Sequence, residues 1–364
     1  MLKHSFNRFF FQLFPIPKFF AMRSFGLDIS DESIKYVELI DTRKGMKMGK
    51  YGEKIIPKGI LESGKIKDAE KMENILGTLR KEIGIKSVHL SLPEEQVYLF
   101  KLKMEKEGLK NIREGIELIL EEHIPISAED AIFDYELFNE DEQSLEMEVA
   151  TIPKNIIENY LSIFQNSKIK VESCELEAQA ISRAVIKKGD LNTYMIVDFG
   201  KQRTGVFIVS RGVVMLTSTL NMGGVMLNEM IAKSFKINID EAEKMKIKFG
   251  LQRNTENKEI FAVLLNSVSI LRDEIVKRYL YWHTHPDENG KANPPIKNII
   301  LCGGDSNLIG LKEYLSISMK SKVEMADPWI NIRSDGNYVP DINFKQSLSF
   351  SAALGLALGD YEGK

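Results

Sequence analysis

Two short cassettes, Phe25-Gly-Leu-Asp-Ile-Ser30 and Val197-Asp-Phe-Gly-Lys-Gln-Arg-Thr204, constrain this chain more than any other feature. Each has an apolar strand-like run, an Asp at or beside the turn and a second apolar run, Ile34 to Ile40 after the first and Val206 to Val209 after the second. Turns of this kind close ordinary β-hairpins. Facing each other, two of them also form a polyphosphate clasp: turn N–H groups approach phosphate oxygens, and an Asp holds a hydrated Mg²⁺ that offsets the phosphate charge. The duplication points to two related lobes around one cleft.

Length and charge narrow the class. At 364 residues, 43% hydrophobic and 28% charged, the chain is globular and too long for one ordinary core. A net charge of −3 without a long basic stripe argues against nucleic acid as a main partner. Cys174 and Cys302 stand far apart, outside any Cys-x-x-Cys or Cys/His cluster, so neither a disulfide framework nor a zinc site is supported and a reducing cytosol is the simplest home.

Residues 1–21 differ from everything after them. Large apolar residues, among them Phe6, Phe9, Phe10, Phe11, Leu13, Phe14, Ile16, Phe19 and Phe20, mix with Lys3, Arg8 and Lys18 and no acid, the composition of a segment lying in an anionic membrane surface. Pro15 and Pro17 interrupt it well short of a span. A weak secretory signal and an upstream extension before Met22 are the competing readings.

From 22 to 92 the pattern predicts a first lobe: strands at 25–29, 34–40 and 46–56, a helix near 68–83, and a strand over Val88–Pro93. Residues 93–172 have their own rhythm: strand, helix, two strands, a helix over 153–166 and a strand at 170–174. They predict an inserted α+β subdomain. A connecting helix within 173–190 returns to the first lobe, 191–345 form the second lobe, and 346–364 close the chain with a small-residue helix. In the second lobe, Gly223 and Gly224 open a helix at a Gly-rich turn, where free N–H groups favour an anion. Asp240–Phe249 reads as a charged helix, and Ile299–Gly304 as a strand running into a double glycine before a helix at 306–315. Trp282-His-Thr-His285 is half of a metal site or a solvated loop before Pro286, and the loop is the expectation. The stretch 287–295 reads as an exposed turn-rich loop.

The order of these motifs resembles the actin-like ATPase superfamily, and within it the PilM family of type IV pilus assembly proteins, relatives of the division protein FtsA. Phe25 to Glu38 is similar to the first phosphate motif, Glu175-Leu-Glu-Ala-Gln-Ala180 to the first connecting helix and Val197 to Thr204 to the second phosphate motif. Leu301 to Leu311 is similar to the adenosine motif, and Phe350-Ser-Ala-Ala-Leu-Gly-Leu-Ala357 to the closing connecting helix. The implied fold is α/β, two ribonuclease-H-like lobes around a nucleotide cleft with a small α+β insertion in the first. The implied cofactors are ATP and Mg²⁺. By this resemblance Asp28 and Asp198 flank Mg²⁺ through water, and Thr204 and the N–H groups around Ser30 and Gly200 meet phosphate oxygens. Gly223 and Gly224 border the phosphates, Glu243 and Lys246 reach ribose or adenine, and Gly303 and Gly304 lie beside the base. Ile29 and Lys35 of the first motif and Asp305 and Asn307 of the adenosine motif complete the cofactor-binding set, and Glu175 stands where some relatives orient the attacking water.

Three departures bear on chemistry. Asp31 and Glu32 follow the first Asp where relatives carry small hydroxyl residues, and Asp305 adds an acid to the adenosine turn. Like charges a few Å apart repel by about 1 kcal/mol in water and by several times more when partly desolvated. Lys201 and Arg203 can offset that by direct phosphate contacts. Binding, with at most slow hydrolysis, is therefore the expectation. The resemblance implies a scaffold at the cytoplasmic face of the inner membrane. It would receive the tail of a PilN-like single-pass membrane protein in a groove between first lobe and insertion, and link it to pilus motor ATPases. A filament-forming ATPase like FtsA or MreB, with self-association, is the alternative. The chain stops at Gly359-Asp-Tyr-Glu-Gly-Lys364 without the amphipathic helix expected of the FtsA kind. A small-molecule kinase ranks below both, since no extra acidic motif is placed to serve as its base.

Overall fold

The computed structural model describes residues 24–359 apart from 43–44, 108, 110, 254–256, 287–289, 291 and 333–339. The basic aromatic leader, Met22 and the last five residues lie outside the described residues, as does part of the loop at 287–295.

The first lobe begins with the antiparallel strands β1 (Ser24–Ile29), β2 (Ser33–Thr42) and β3 (Gly45–Ile55), followed by a small hairpin, β4 (Leu61–Glu62) and β5 (Lys65–Ile66). Helix α1 (Ala69–Ile83) starts where the Asp68 side chain accepts the Lys71 N–H at 3.0 Å and stops at Gly84, whose φ of 78° suits glycine. Strand β6 (Ser87–Leu92), buried throughout, pairs parallel with β1.

The insertion follows as β7 (Tyr98–Glu105), α2 (Ile112–His123), β8 (Ala131–Glu140) and β9 (Ser144–Pro153), with sheet order β7-β9-β8. Alternation divides the sheet: Leu102, Phe133, Leu145, Met147 and Val149 join Ile116 and Leu120 of α2 in one core. The insertion ends earlier than its sequence suggests. Helix α3 (Lys154–Asn166) places Tyr160, Ile163 and Phe164 in the first-lobe core with Met72 and Leu76 of α1. Strand β10 (Lys170–Leu176) pairs parallel with β6. The expected boundary at 172 therefore moves back to about Pro153, because the partner of a strand is set by the lobe and not by the strand's own pattern.

Helix α4 (Glu177–Val185) leads into the second lobe: β11 (Thr193–Phe199), β12 (Thr204–Ser210), β13 (Val213–Leu220), α5 (Gly224–Phe235) and α6 (Ile239–Phe249). Next is α7 (Lys258–Thr284), whose Ile260, Leu264, Val268, Leu271, Ile275 and Trp282 are buried. The segment expected as a solvated loop is thus the end of a long helix, and the Trp282 indole N–H donates to the Pro294 carbonyl at 2.7 Å. Strand β14 (Ile296–Cys302) follows, and a 3-10 turn over Gly304–Asn307 replaces the start of the expected helix. Helix α8 (Leu311–Met319), β15 (Val323–Met325), α9 (Phe344–Ser347) and α10 (Ser351–Gly359) complete the described chain.

The two large sheets repeat one plan: β3-β2-β1-β6-β10 in the first lobe and β13-β12-β11-β14-β15 in the second, each an antiparallel meander extended by parallel strands. Helices α4 and α10 cross between them. At the crossing, a Cβ on Gly355 would stand 1.7 Å from the Ala180 carbonyl oxygen, and one on Gly26 of β1 only 1.9 Å from that of Ala353. Backbone meets backbone there, which only glycine allows.

Candidate functional site

The hairpin turns of the two sheets open onto one cleft of about 370 Å³, within the size range of small-molecule sites. It is lined from one lobe by Asp28, Ile29, Ser30, Lys35 and Ser91, and from the other by Asp198, Gly200, Lys201, Arg203, Glu243, Lys246, Gly303, Gly304 and Asp305. The turns match in detail: the Ser30 N–H donates to the Ser33 carbonyl at 2.9 Å, and the Gly200 N–H to the Arg203 carbonyl at 2.9 Å. Those two donors are spent on closing the hairpins. An anion would meet the tips instead, Asp31, Glu32, Lys201 and Gln202, whose N–H groups donate to no backbone carbonyl among the described residues.

Asp28, the penultimate residue of β1, lies opposite Lys35 of β2. Ser91 of β6, which sequence reasoning passed over, fixes it: the Ile29 N–H donates to Ser91 Oγ at 3.1 Å, and that hydroxyl donates to Asp28 Oδ1 at 3.0 Å. Burial first, and then the charge of Asp28, push the Asp198 carboxyl up to about 6, while Lys35 opposes them. Two carboxylates that repel in a shielded cleft form an all-oxygen donor set for a hard divalent cation, which removes that repulsion. These residues fit Mg²⁺.

The acids that set this chain apart are paired, Asp31 and Glu32 across the cleft and Asp305 within the second lobe. Glu32 Oε2 lies 2.9 Å from Lys201 Nζ and its other oxygen accepts from the Gln202 amide. Arg203 meets Asp31 at 3.7 Å and is ion-paired to Glu95, on the short turn after β6. Lys246 Nζ is 2.6 Å from Asp305 Oδ1 and donates to the Gly224 carbonyl at 3.2 Å. Lys201 and Arg203 thus bind first-lobe carboxylates and so join the lobes.

Several expected contacts lie elsewhere. Thr204 is fully buried, and its hydroxyl donates to the Met222 carbonyl at 2.5 Å, behind the cassette. Gly223 and Gly224 do not line the cleft. The Gly224 N–H donates to the Gly200 carbonyl at 3.1 Å and the Val225 N–H to that of Lys201 at 2.9 Å, so the start of α5 braces the second turn. A Cβ on Gly224 would meet the Asp305 carboxylate at 2.2 Å. The Asn307 amide donates to the carbonyls of Gly304 and Lys345 at 3.0 and 2.8 Å, pinning the turn after β14. Gly303 belongs in the cleft: at φ 87°, a Cβ there would strike Asp198 Oδ1 at 2.5 Å.

Glu175 is also absent from the cleft, because Arg183 holds its carboxylate at 2.6 Å. Glu177, two residues on at the start of α4, lines it instead. Burial raises the Glu177 carboxyl well above the usual range, and Asp28, Asp198 and Glu94 add to the effect. Buried Glu94 accepts the Ala178 N–H at 3.4 Å at the same helix start, and desolvation pushes it up to about 7. Strand alternation sends Glu175 and Glu177 to the same side of an extended chain, but the helix begins between them and turns Glu177 toward the cleft.

A family model described as type IV pilus assembly protein PilM matches residues 26–361. The chain belongs to this family. Its fold is that of actin-like ATPases. A solved PilM-PilN type IV pilus biogenesis complex superposes with a TM-score of 0.75 at 20% identity, covering 93% of this chain and 98% of that one. MreB5 of Spiroplasma citri bound to ADP superposes with a TM-score of 0.55 at 14% identity, covering 94% of this chain and 98% of that one. Cell division protein FtsA of Buchnera aphidicola is 21% identical over 211 residues, 51% of this chain and 50% of that protein. The chain thus spans about half the length of this curated relative. Among the described residues no helix is long and apolar enough to cross a membrane.

Proposed function

We propose that this chain is a nucleotide-binding scaffold of the type IV pilus assembly platform, taking Mg-ATP between its lobes. The observation that carries the reading is the meeting of two equivalent hairpin turns, with Asp28 and Asp198, in one cleft. The ADP held by the related MreB5 fold supports it. Mg²⁺ would neutralise charge between the two aspartates and the phosphates. Lys201 would exchange Glu32 for a phosphate oxygen, while Gly303 and Gly304 leave room for the base. A ligand gripping both lobes stabilises their closed arrangement by its differential affinity. Because Asp31 and Glu32 stand beside the phosphate path, the role is binding with at most slow hydrolysis.

Closure would set the shape of a second opening, a groove of about 590 Å³ between first lobe and insertion that also reaches Val214 of the second lobe. We assign it to the cytoplasmic tail of a PilN-like single-pass membrane protein, the kind of partner that the solved PilM-PilN complex contains. In this reading the chain links that tail to the motor ATPases at the inner membrane, and residues 1–21 add contact with the membrane surface.

Calorimetric titration of the full chain with Mg-ATP tests the reading: one site per chain is expected, and no heat at millimolar nucleotide would refute it. The Glu32→Gln variant should bind Mg-ATP more tightly by about threefold to fivefold, since its ion pair with Lys201, whose ammonium stays open to solvent, is worth up to about 1 kcal/mol. Weaker binding by that variant would show that Glu32 helps the nucleotide. Sedimentation with Mg-ATP separates scaffold from filament; a polymer pellet would favour the FtsA-like alternative.

A further inference from the structure

Glu148 lines the groove as a buried carboxyl with an oxygen that no described residue satisfies. It sits mid-strand in β9, the central strand of the inserted sheet, on the face turned away from α2. It is only 5% exposed, and its Oε2 has no hydrogen-bond partner among the described residues. The register places Lys101 of β7 and Glu136 of β8 directly opposite it on either side. Lys101 is drawn away: its ammonium lies over the Trp282 ring, 4.9 Å from the centroid. The basic group that lines the groove, Arg113, stacks on Phe133 at 4.5 Å and donates to the Phe133 carbonyl at 3.1 Å. Asp134 and Glu136 add negative charge, while Glu175 is paired to Arg183, and Leu92, Val97, Leu99, Ile152 and Leu176 supply apolar wall.

A buried carboxyl left without a partner is destabilising, and more so when charged. An apolar segment filling the groove would seal that cost in. An acidic or phosphorylated one would be repelled by Asp134 and Glu136. A guanidinium or ammonium flanked by apolar residues satisfies both the wall and the acid. We infer that Glu148 is the specificity-determining contact of this groove, receiving an Arg or Lys side chain from an otherwise apolar segment of the partner's tail. This rests on the assignment of the groove to such a tail.

A pH signature follows. Burial raises the Glu148 carboxyl to about 8, with Lys101 opposing and Glu136 adding to the rise. Arg113, Asp134 and Glu175, the other charged groups lining the groove, complete its surroundings. The free groove therefore holds a proton at neutral pH that a bound cation displaces. Binding releases it, so affinity rises with pH up to about 8 and levels off above.

The test uses the full chain and a synthetic cytoplasmic tail of the PilN-like protein from the same organism, read by fluorescence anisotropy. Glu148→Gln should weaken binding by about tenfold or more at pH 8.5 and flatten the pH profile. Replacing the basic residue of the tail by Gln should cost the wild type as much and the variant nothing further. A thermal midpoint for Glu148→Gln at or above that of the wild type excludes misfolding as the cause. Equal binding by wild type and variant would overturn the role of Glu148 while leaving the groove assignment intact, as would tight binding of a tail without a basic residue. A tail that fails to bind the wild type overturns both.

Discussion

Replacing Asp28 or Asp198 by alanine should abolish the stabilisation expected from Mg-ATP in the proposed cleft. At a hundredfold excess over the dissociation constant, a ligand bound only by the native state adds about 2.7 kcal/mol, which raises the midpoint of a thermal melt. The expected loss is complete because the metal needs both carboxylates, one from each lobe. The nucleotide-free variants should tell a second story. Burial and Asp28 hold the Asp198 carboxyl at about 6, above the ordinary carboxylate range. A folded-state pKa raised in this way costs the wild type stability as pH climbs from about 4 to about 6, a cost then carried at neutral pH. Asp198→Ala should therefore melt no lower than the wild type at pH 7 without ligand. A variant that is less stable without ligand yet still shifts with Mg-ATP would make Asp198 a structural residue.

Gly355→Ala is the second large effect, and its sign decides the cause. In a helix interior, Gly to Ala ordinarily stabilises by about 1 kcal/mol through backbone entropy. Gly77 of α1, where an added Cβ meets nothing within 4 Å, should behave that way. Gly355 should do the reverse, because its Cβ would lie 1.7 Å from the Ala180 carbonyl oxygen. Relief requires α10 and α4 to separate, at a cost of about 3 kcal/mol or more, as in overpacked cores. Urea denaturation of the two variants measures both. If Gly355→Ala matched the wild type, the close crossing that links the lobes would not exist in solution.

The sequence made the duplicated turns legible because each is local: apolar run, Asp, turn, apolar run. It also made legible the order of motifs and the small residues of α10. Partnerships across the chain were not legible. Ser91 reaches Asp28 from 63 residues away, and Glu95 reaches Arg203 from the other lobe. Nothing in a strand ending at Pro93 marks either residue as part of a cleft. Thr204 was misplaced for a related reason: the turn pointed to phosphate, but β12 alternation sends the hydroxyl to Met222. Helix α7 escaped notice because its first turn lacks a side-chain cap and its end is crowded with His283 and His285, which resemble a polar loop. The sequence points Lys201 and Arg203 toward phosphate; in the structure they pair with Glu32, Asp31 and Glu95, partners that only the fold brings near.

A crystal structure of the full chain with Mg²⁺ and a non-hydrolysable ATP analogue tests the central claim most directly. Phosphates lying between the turns after Asp28 and Asp198, with Lys201 released from Glu32 onto a phosphate oxygen, are the predicted result. A nucleotide resting on one lobe alone, with the Glu32–Lys201 and Asp31–Arg203 pairs intact across the cleft, would contradict it.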